Sequence, residues 1–256
     1  ISYTRILDAL TTWEGIAASG VSEEEPNLIF QRSEWHAHRL RRDVCHSVTE
    51  PRLEGGCGVT GALGGVGIRV SRALLAGGVE QLVLLSRSGA VAHGGQGLEG
   101  ELALLLGEGD VRILRGDAAQ AVDISAMVGL VTPGGWIHLS DVLNPIPLSR
   151  IDLTRLVREL APKAFGASHM QRSTLHVEDR FRLCASSIAA FGGTNTASYS
   201  SANSYVTSFC SWCAGRGARI SSLVLPLVLD VGMGAATYAG RLTPTSRVLA
   251  VAVTTE

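Results

Sequence analysis

Hydrophobic positions along this chain fall into two alternating patterns. Short apolar runs at 58–59, 81–85, 111–114, 135–139, 181–186 and 221–225 have the length and bounding turn residues of strands. Between them, apolar residues recur at helical spacing near 68–77, 98–106, 122–131, 151–170 and 199–215. Strand and helix alternating in this way predict an α/β fold with a doubly wound parallel sheet. Before residue 57 the pattern differs. Residues 1–24 read as a helix and its exit, ending in Glu23-Glu24-Glu25 before Pro26. Two short strands at 28–30 and 35–40 follow, around a turn at Gln31-Arg32-Ser33. Residues 89–97 are glycine-rich and read as a mobile loop. These patterns divide the chain into 1–50, a sheet-bearing region 51–240 and a tail 241–256.

The segment Thr60-Gly61-Ala62-Leu63-Gly64-Gly65-Val66-Gly67 joins the first of the alternating strands to the helix at 68–77. A strand, a glycine turn and a helix in that order let backbone N–H groups approach a pyrophosphate at the helix N-terminus. A second strand arrives at βαβ spacing and ends in Ser86-Arg87-Ser88-Gly89. A carboxylate at that strand end would select the ribose 2′-hydroxyl of NAD, whereas an arginine suits the 2′-phosphate of NADP. Arg87 therefore points to NADP. Asp117, after the third strand, is placed either to meet an adenine amine or to cap the next turn.

Composition narrows the partners. At 256 residues and 46% hydrophobic the chain can bury one large core. A net charge of −1, with only the small Arg39, Arg41, Arg42 cluster, argues against nucleic acid. The apolar stretch 223–229 is too short to span a membrane and contains Pro226. With no signal peptide and no initiator Met, the chain reads as a piece of a longer polypeptide. Five cysteines without disulfide spacing fit a reducing, cytoplasmic setting. Cys210-Ser211-Trp212-Cys213 has CxxC form, but packing of small apolar residues in a helix explains it better than redox chemistry. His36 and His38 share a strand face without further ligands, so no metal site is expected.

A tyrosine-serine pair supplies candidate chemistry. Ser186-Ser187 closes the 181–186 strand, and Tyr199 opens the helix that follows, in Tyr199-Ser-Ser-Ala-Asn203. Strand C-termini line the ligand crevice of a doubly wound sheet, so the two can converge. A phenol is a poor proton carrier at neutral pH unless a cation lowers its pKa. The chain holds a single lysine, Lys163, against twenty-one arginines. Its survival points to a place where a compact ammonium is needed, beside a phenol and a ribose.

Taken together, TGALGGVG at 60–67, LLSRSG at 84–89, PKAFGA around Lys163, SSIAA at 186–190, YSSAN at 199–203 and VGM at 231–233 resemble a ketoreductase domain. The family is that of the modular polyketide synthases and related fatty acid synthases, within the short-chain dehydrogenase/reductase superfamily. The likeness runs from about 52 to 234 and implies a Rossmann-type sheet. Ordinary superfamily members place lysine four residues after the tyrosine; here that position is Asn203 and the lysine lies on an earlier helix, as in synthase ketoreductases. Residues 25–42 resemble the end of a preceding structural subdomain, of which this chain would carry a short remnant.

The resemblance implies NADPH-dependent reduction of a β-ketone on a phosphopantetheine-tethered acyl chain, with an acyl carrier protein and other synthase domains as partners. Tyr199 would donate the proton, Ser187 would bind the same oxygen, Lys163 would lower the tyrosine pKa, and Asn203 would orient or relay. Cofactor contacts are implied at Thr60, Gly61, Gly65, Val66, Gly67, Ser86, Arg87, Asp117 and His138, and Met233 near the start of a substrate lid. Three features depart from the family. His138-Leu139-Ser140-Asp141 replaces HAAG, adding bulk and a carboxylate near the cofactor. The Ser187–Tyr199 loop is one residue shorter than usual, and the stereochemical markers are replaced, with Leu143-Asn144-Pro145 in place of LDD. Two alternatives follow: a ketoreductase-fold scaffold with an impaired site, or a free-standing carbonyl reductase.

Overall fold

The computed structural model describes residues 53–132, 134–225, 228 and 232–233, with the backbone of two strands further upstream. The chain separates into two units, Ile1–Glu50 and Pro51–Glu256. In the first, β1 (Leu28–Gln31) pairs antiparallel with β2 (Glu34–Ala37), Leu28 opposite Ala37 and Gln31 opposite Glu34. Gln31, expected in the turn, is thus the last paired residue of β1. The expected helix at 1–24, His38 and the tail at 241–256 lie outside the described residues.

In the second unit β3 (Gly56–Thr60), β4 (Gln81–Ser86), β5 (Asp110–Arg115), β6 (Gly135–His138), β7 (Phe181–Ser187) and β8 (Ile220–Leu225) form one parallel sheet. Their spatial order is β5-β4-β3-β6-β7-β8. Helices α1 (Gly65–Ala76), α2 (Leu98–Gly107), α3 (Ala121–Leu130), α4 (Leu153–Leu160), α5 (Gly166–Ser173) and α6 (Ala197–Ala214) connect them. The continuous apolar run of β4 has a simple cause. Leu82 and Leu84 enter one core with α1 and α2, while Val83 and Leu85 enter the other with α3, α5 and α6. Trp136 and Ile137 in β6 divide the same way, as period-two side chains in a sheet covered on both faces must.

Two consequences position the site. The chain leaves β3 toward β4 on one side, whereas β6 lies on the other, so a crevice opens at the carboxyl ends of β3 and β6. And the single helix expected at 151–170 is three pieces. Asp152 caps α4 by accepting the Arg155 N–H, and a wide π-helical turn at Ala161–Phe165 then leads into α5. Pro162 is the second residue of that turn; it lacks an N–H and crowds a carbonyl of the preceding turn, so the regular ladder cannot continue through it. Among the described residues no helix is long and apolar enough to cross a membrane.

Candidate active site

The glycine turn is built for close approach. Gly61 has φ +66°, and a Cβ there would sit 2.7 Å from the Leu139 carbonyl and the Ser140 nitrogen. A Cβ on Gly67 would lie 2.5 Å from the Gly61 and Ala62 carbonyl oxygens. The chain therefore folds flat between β3 and the segment after β6, and α1 begins on Gly64 with no side chain capping its first N–H groups. Such a helix start offers unclaimed donors and the positive end of its dipole to an anion. A cavity of about 1170 Å³ opens in front of it, lined by Gly61, Gly64, Gly65, Val66, Gly67 and the sites described below.

Arg87 lies exposed on this cavity, with Ser86 beside it, and makes no ion pair among the described residues. Asp117 also lines the cavity, and its Oδ1 accepts the Ala119 N–H at 3.0 Å, so its capping role is formed. Thr60 and His138, expected at the cofactor, are the exceptions, because their side chains are turned away and brace the wall from behind. The His138 Nε2 lies 2.9 Å from the Lys163 carbonyl, which can only accept, so Nε2 carries the proton. Nδ1 is then the acceptor for the Thr60 hydroxyl at 2.7 Å. Burial holds this imidazole neutral, pushing its pKa down to about 4. Gly166 accommodates the ring, since a Cβ there would stand 2.4 Å from His138 Cε1.

Tyr199, Ser187 and Lys163 converge on the cavity wall. Ser187 ends β7 and its Oγ accepts the Ala189 N–H at 3.2 Å, leaving its own proton to donate. The neighbouring Ser186 instead donates to the Asn203 carbonyl at 3.1 Å. Lys163 is 2% exposed, and all three of its ammonium protons have acceptors. These are the Ala185 carbonyl, Asn203 Oδ1 and Asp141 Oδ2, each at 2.9 Å. Asn203 is fully buried; its Nδ2 donates to the Tyr199 carbonyl at 2.8 Å, so it ties the lysine to α6.

The expected effect of Lys163 on Tyr199 is not what the electrostatics give. The Tyr199 phenol is pushed above the usual range, first by burial and next by the negative charge of Asp141. Hydrogen bonds from Ser187 and Asn203 pull the other way. The Lys163 nitrogen stands 5.9 Å from the centre of the tyrosine ring, whereas it is only 2.9 Å from Asp141 Oδ2, so its charge is paired with the carboxylate. The fourth residue of His138-Leu139-Ser140-Asp141 has thus joined the Lys163–Asn203 cluster. Leu139, by contrast, packs on the core beneath the glycine turn as well as lining the cavity.

A family model described as KR domain matches residues 55–230. The chain belongs to the KR domain family. Over 176 residues it is 34% identical to polyketide synthase GfsB of Streptomyces halstedii, aligning 66% of this chain with 3% of that protein. Over 197 residues it is 27% identical to the highly reducing polyketide synthase resH of Aspergillus sclerotiorum, covering 73% of this chain and 8% of that one. The KR domain therefore spans a small part of these relatives. Among solved structures, an A1-type ketoreductase superposes with a TM-score of 0.72 at 29% identity, over 82% of this chain and 46% of that one. An A-type ketoreductase from a modular polyketide synthase gives 0.70 at 30%, over 80% and 45%. The molecule is a Rossmann-type oxidoreductase domain of the short-chain dehydrogenase/reductase class, and its family is one of nicotinamide enzymes.

Two residues of this KR domain escaped the sequence patterns. Gln96, within the glycine-rich segment, accepts the Gly232 N–H at 2.6 Å and donates to its carbonyl at 3.3 Å, fastening that loop to the segment holding Met233 across the cavity. Glu159 on α4 is buried within reach of the Asp141 charge, with Oε1 lacking a hydrogen-bond partner. A glutamine or glutamate on a helical or glycine-rich background carries no local signal of such a role. The CxxC pair behaves as packing, since Cys210 and Cys213 are buried in the second core together with Cys184. No cluster of metal-ligating side chains occurs among the described residues.

Proposed function

We propose that this KR domain reduces the β-keto group of an acyl thioester held on an acyl carrier protein to the β-hydroxyacyl thioester, using NADPH, within a larger cytoplasmic synthase. The observation that carries this reading is the convergence of Tyr199, Ser187 and Lys163 on one cavity wall beside the glycine turn. The residues fit the cofactor. The uncapped start of α1 and the glycine backbone suit the pyrophosphate, and Arg87, free of ion pairs among the described residues, suits the 2′-phosphate. Asp117 remains close enough to the cavity for the adenine. When bound, the nicotinamide supplies the hydride.

The chain's own side chains handle the proton and the charge. Tyr199 donates its hydroxyl proton to the oxygen that becomes the alcohol. Ser187 donates a hydrogen bond to the same oxygen, strongest as negative charge develops there, which is where such a donor accelerates reaction. Lys163, fixed by Asn203 and the Ala185 carbonyl, anchors the cluster in a wall that excludes water. Incubation with NADPH and a β-ketoacyl thioester tests the reading by formation of the β-hydroxyacyl product. A second reading, a KR scaffold that binds cofactor without turnover, is favoured by the Asp141–Lys163 ion pair, which neutralises the cation of the site. NADPH binding without product under all conditions would establish that alternative.

A further inference from the structure

One charged side chain in the cavity wall has no part in the reaction just described. Asp141 follows β6, its side chain is 9% exposed, and its Oδ2 is 2.9 Å from the Lys163 nitrogen. Its Oδ1 accepts the Val142 N–H at 2.9 Å, it lines the same cavity as Tyr199, and its charge acts on the phenol. A carboxylate that is buried, paired with the ammonium and set on the same cavity wall as the phenol is not a surface accident of substitution.

The surroundings decide what it can do. From the turn after α4 comes Lys163, the cation that faces it; from α4 itself, the buried carboxyl of Glu159, whose pKa Asp141 helps to raise. From α6 come Tyr199 and the neutral amide of Asn203. From β6 comes His138, held neutral, and from β7 the thiol of Cys184, held protonated. One ammonium therefore pairs with the Asp141 carboxylate, which in turn acts on the Glu159 carboxyl and the Tyr199 phenol. A phenolate formed here would feel the negative charge of Asp141.

We propose that Asp141 sets the protonation state of Tyr199. As a carboxylate it holds the phenol proton and opposes phenolate formation; as a carboxylic acid it replaces the proton that Tyr199 gives away. Only the second half rests on the reductase reading. In that step the Tyr199 O–H bond breaks as the alcohol O–H forms, the Asp141 O–H breaks as the tyrosine O–H is restored, and Asp141 is left as the carboxylate paired with Lys163. Solvent at the open mouth of the cavity then returns its proton. Asp141 is a positioning residue, acting on the substrate through Tyr199. Burial raises its pKa above the ordinary carboxylate range against the lowering pull of Lys163, so its acid form persists to higher pH than an exposed carboxyl's and is lost as pH rises.

The test is the ultraviolet titration of the Tyr199 phenol, read as the difference between each protein and its Tyr199→Phe counterpart from about pH 7 to about pH 11. The wild type should show no phenolate step. Asp141→Asn should show a one-tyrosine step, its midpoint lower by about one to three pH units, the shift expected from removing an adjacent like charge. Asp141→Ala, which lacks any hydrogen bond to the phenol, should show the same step and carries the comparison if the asparagine variant does not fold. Identical titrations in wild type and both variants would overturn the proposal. Turnover adds the second half: kcat of the wild type should fall as pH rises, and Asp141→Asn should lose that dependence and exceed the wild type about tenfold near pH 8. The same falling limb in both proteins would overturn the proton-supply role. A shifted titration with no turnover by any variant would instead remove the reductase reading while leaving the control of Tyr199 intact.

Discussion

At Lys163 three ammonium protons meet three acceptors, and each contact answers a separate question about the cluster. The Ala185 and Asn203 contacts fix the lysine in place; the Asp141 contact decides how much of its charge the tyrosine feels. Behind it, His138 links the lysine backbone to Thr60, and this bridge has a pH signature. Its pKa is about 4 when folded against an ordinary 6.5, so the unfolded chain binds a proton that the folded one does not. Stability from this group is complete above about pH 6.5 and is lost as pH falls toward about 4, with a full value on the order of 3 kcal/mol. His138→Asn should flatten the pH dependence of the unfolding free energy across that window, and an unchanged slope would exclude the buried neutral imidazole. Arg87 carries a second prediction at this scale. Arg87→Ala should weaken NADPH at least tenfold more than NADH, read by fluorescence titration, and equal losses would remove it from the 2′-phosphate. The serine, tyrosine, lysine and asparagine were legible because each sits in a short local motif. Asp141 could be placed near the cofactor from sequence, but its bond to Lys163 could not. The two residues are joined by the π-helical turn, and no local pattern announces that.

Among the elements, the turn from β3 into α1 carries the proposed pyrophosphate contact. Gly67→Ala would put a methyl 2.5 Å from two backbone oxygens, which cannot rotate away as a side-chain tip would. The variant should lose about 1–3 kcal/mol of stability and at least tenfold in NADPH affinity. Normal thermal unfolding and normal binding would show that the turn tolerates displacement. Five of the six sheet strands were expected to within a residue at each end, because strands buried on both faces form short apolar runs between turns. The first, expected only at 58–59, extends to Gly56–Thr60 because glycine and cysteine hide its apolar character. The long helix at 151–170 was misjudged for a different reason. Its apolar spacing continues through the break, and Pro162 changes the backbone without changing the pattern of side chains. Gln96 reshapes the expectation of a mobile loop at 89–97, since two hydrogen bonds fasten it to Gly232.

On the scale of the whole molecule, the sheet order brings together residues far apart in the chain. Gly61, Arg87, Lys163, Ser187, Tyr199 and Met233 meet on one cavity because β3 and β6 are neighbours whose connections run in opposite directions. Alternation of strand and helix was enough to expect a doubly wound sheet. Which carboxyl ends face the crevice follows from the strand order, to which the glycine turn is the one sequence guide. The most direct measurement of the proposed function uses NADPH carrying deuterium at the transferable position of the nicotinamide, with a β-ketoacyl thioester as acceptor. Mass spectrometry should find one deuterium on the β-carbon of the hydroxyacyl product. Tyr199→Phe should bind the cofactor with unchanged affinity and lose the labelled product by about two to four orders of magnitude. Full labelling by the variant would remove Tyr199 as proton donor. Saturable binding of NADPH by the wild type with no label in any product would contradict the reductase assignment itself.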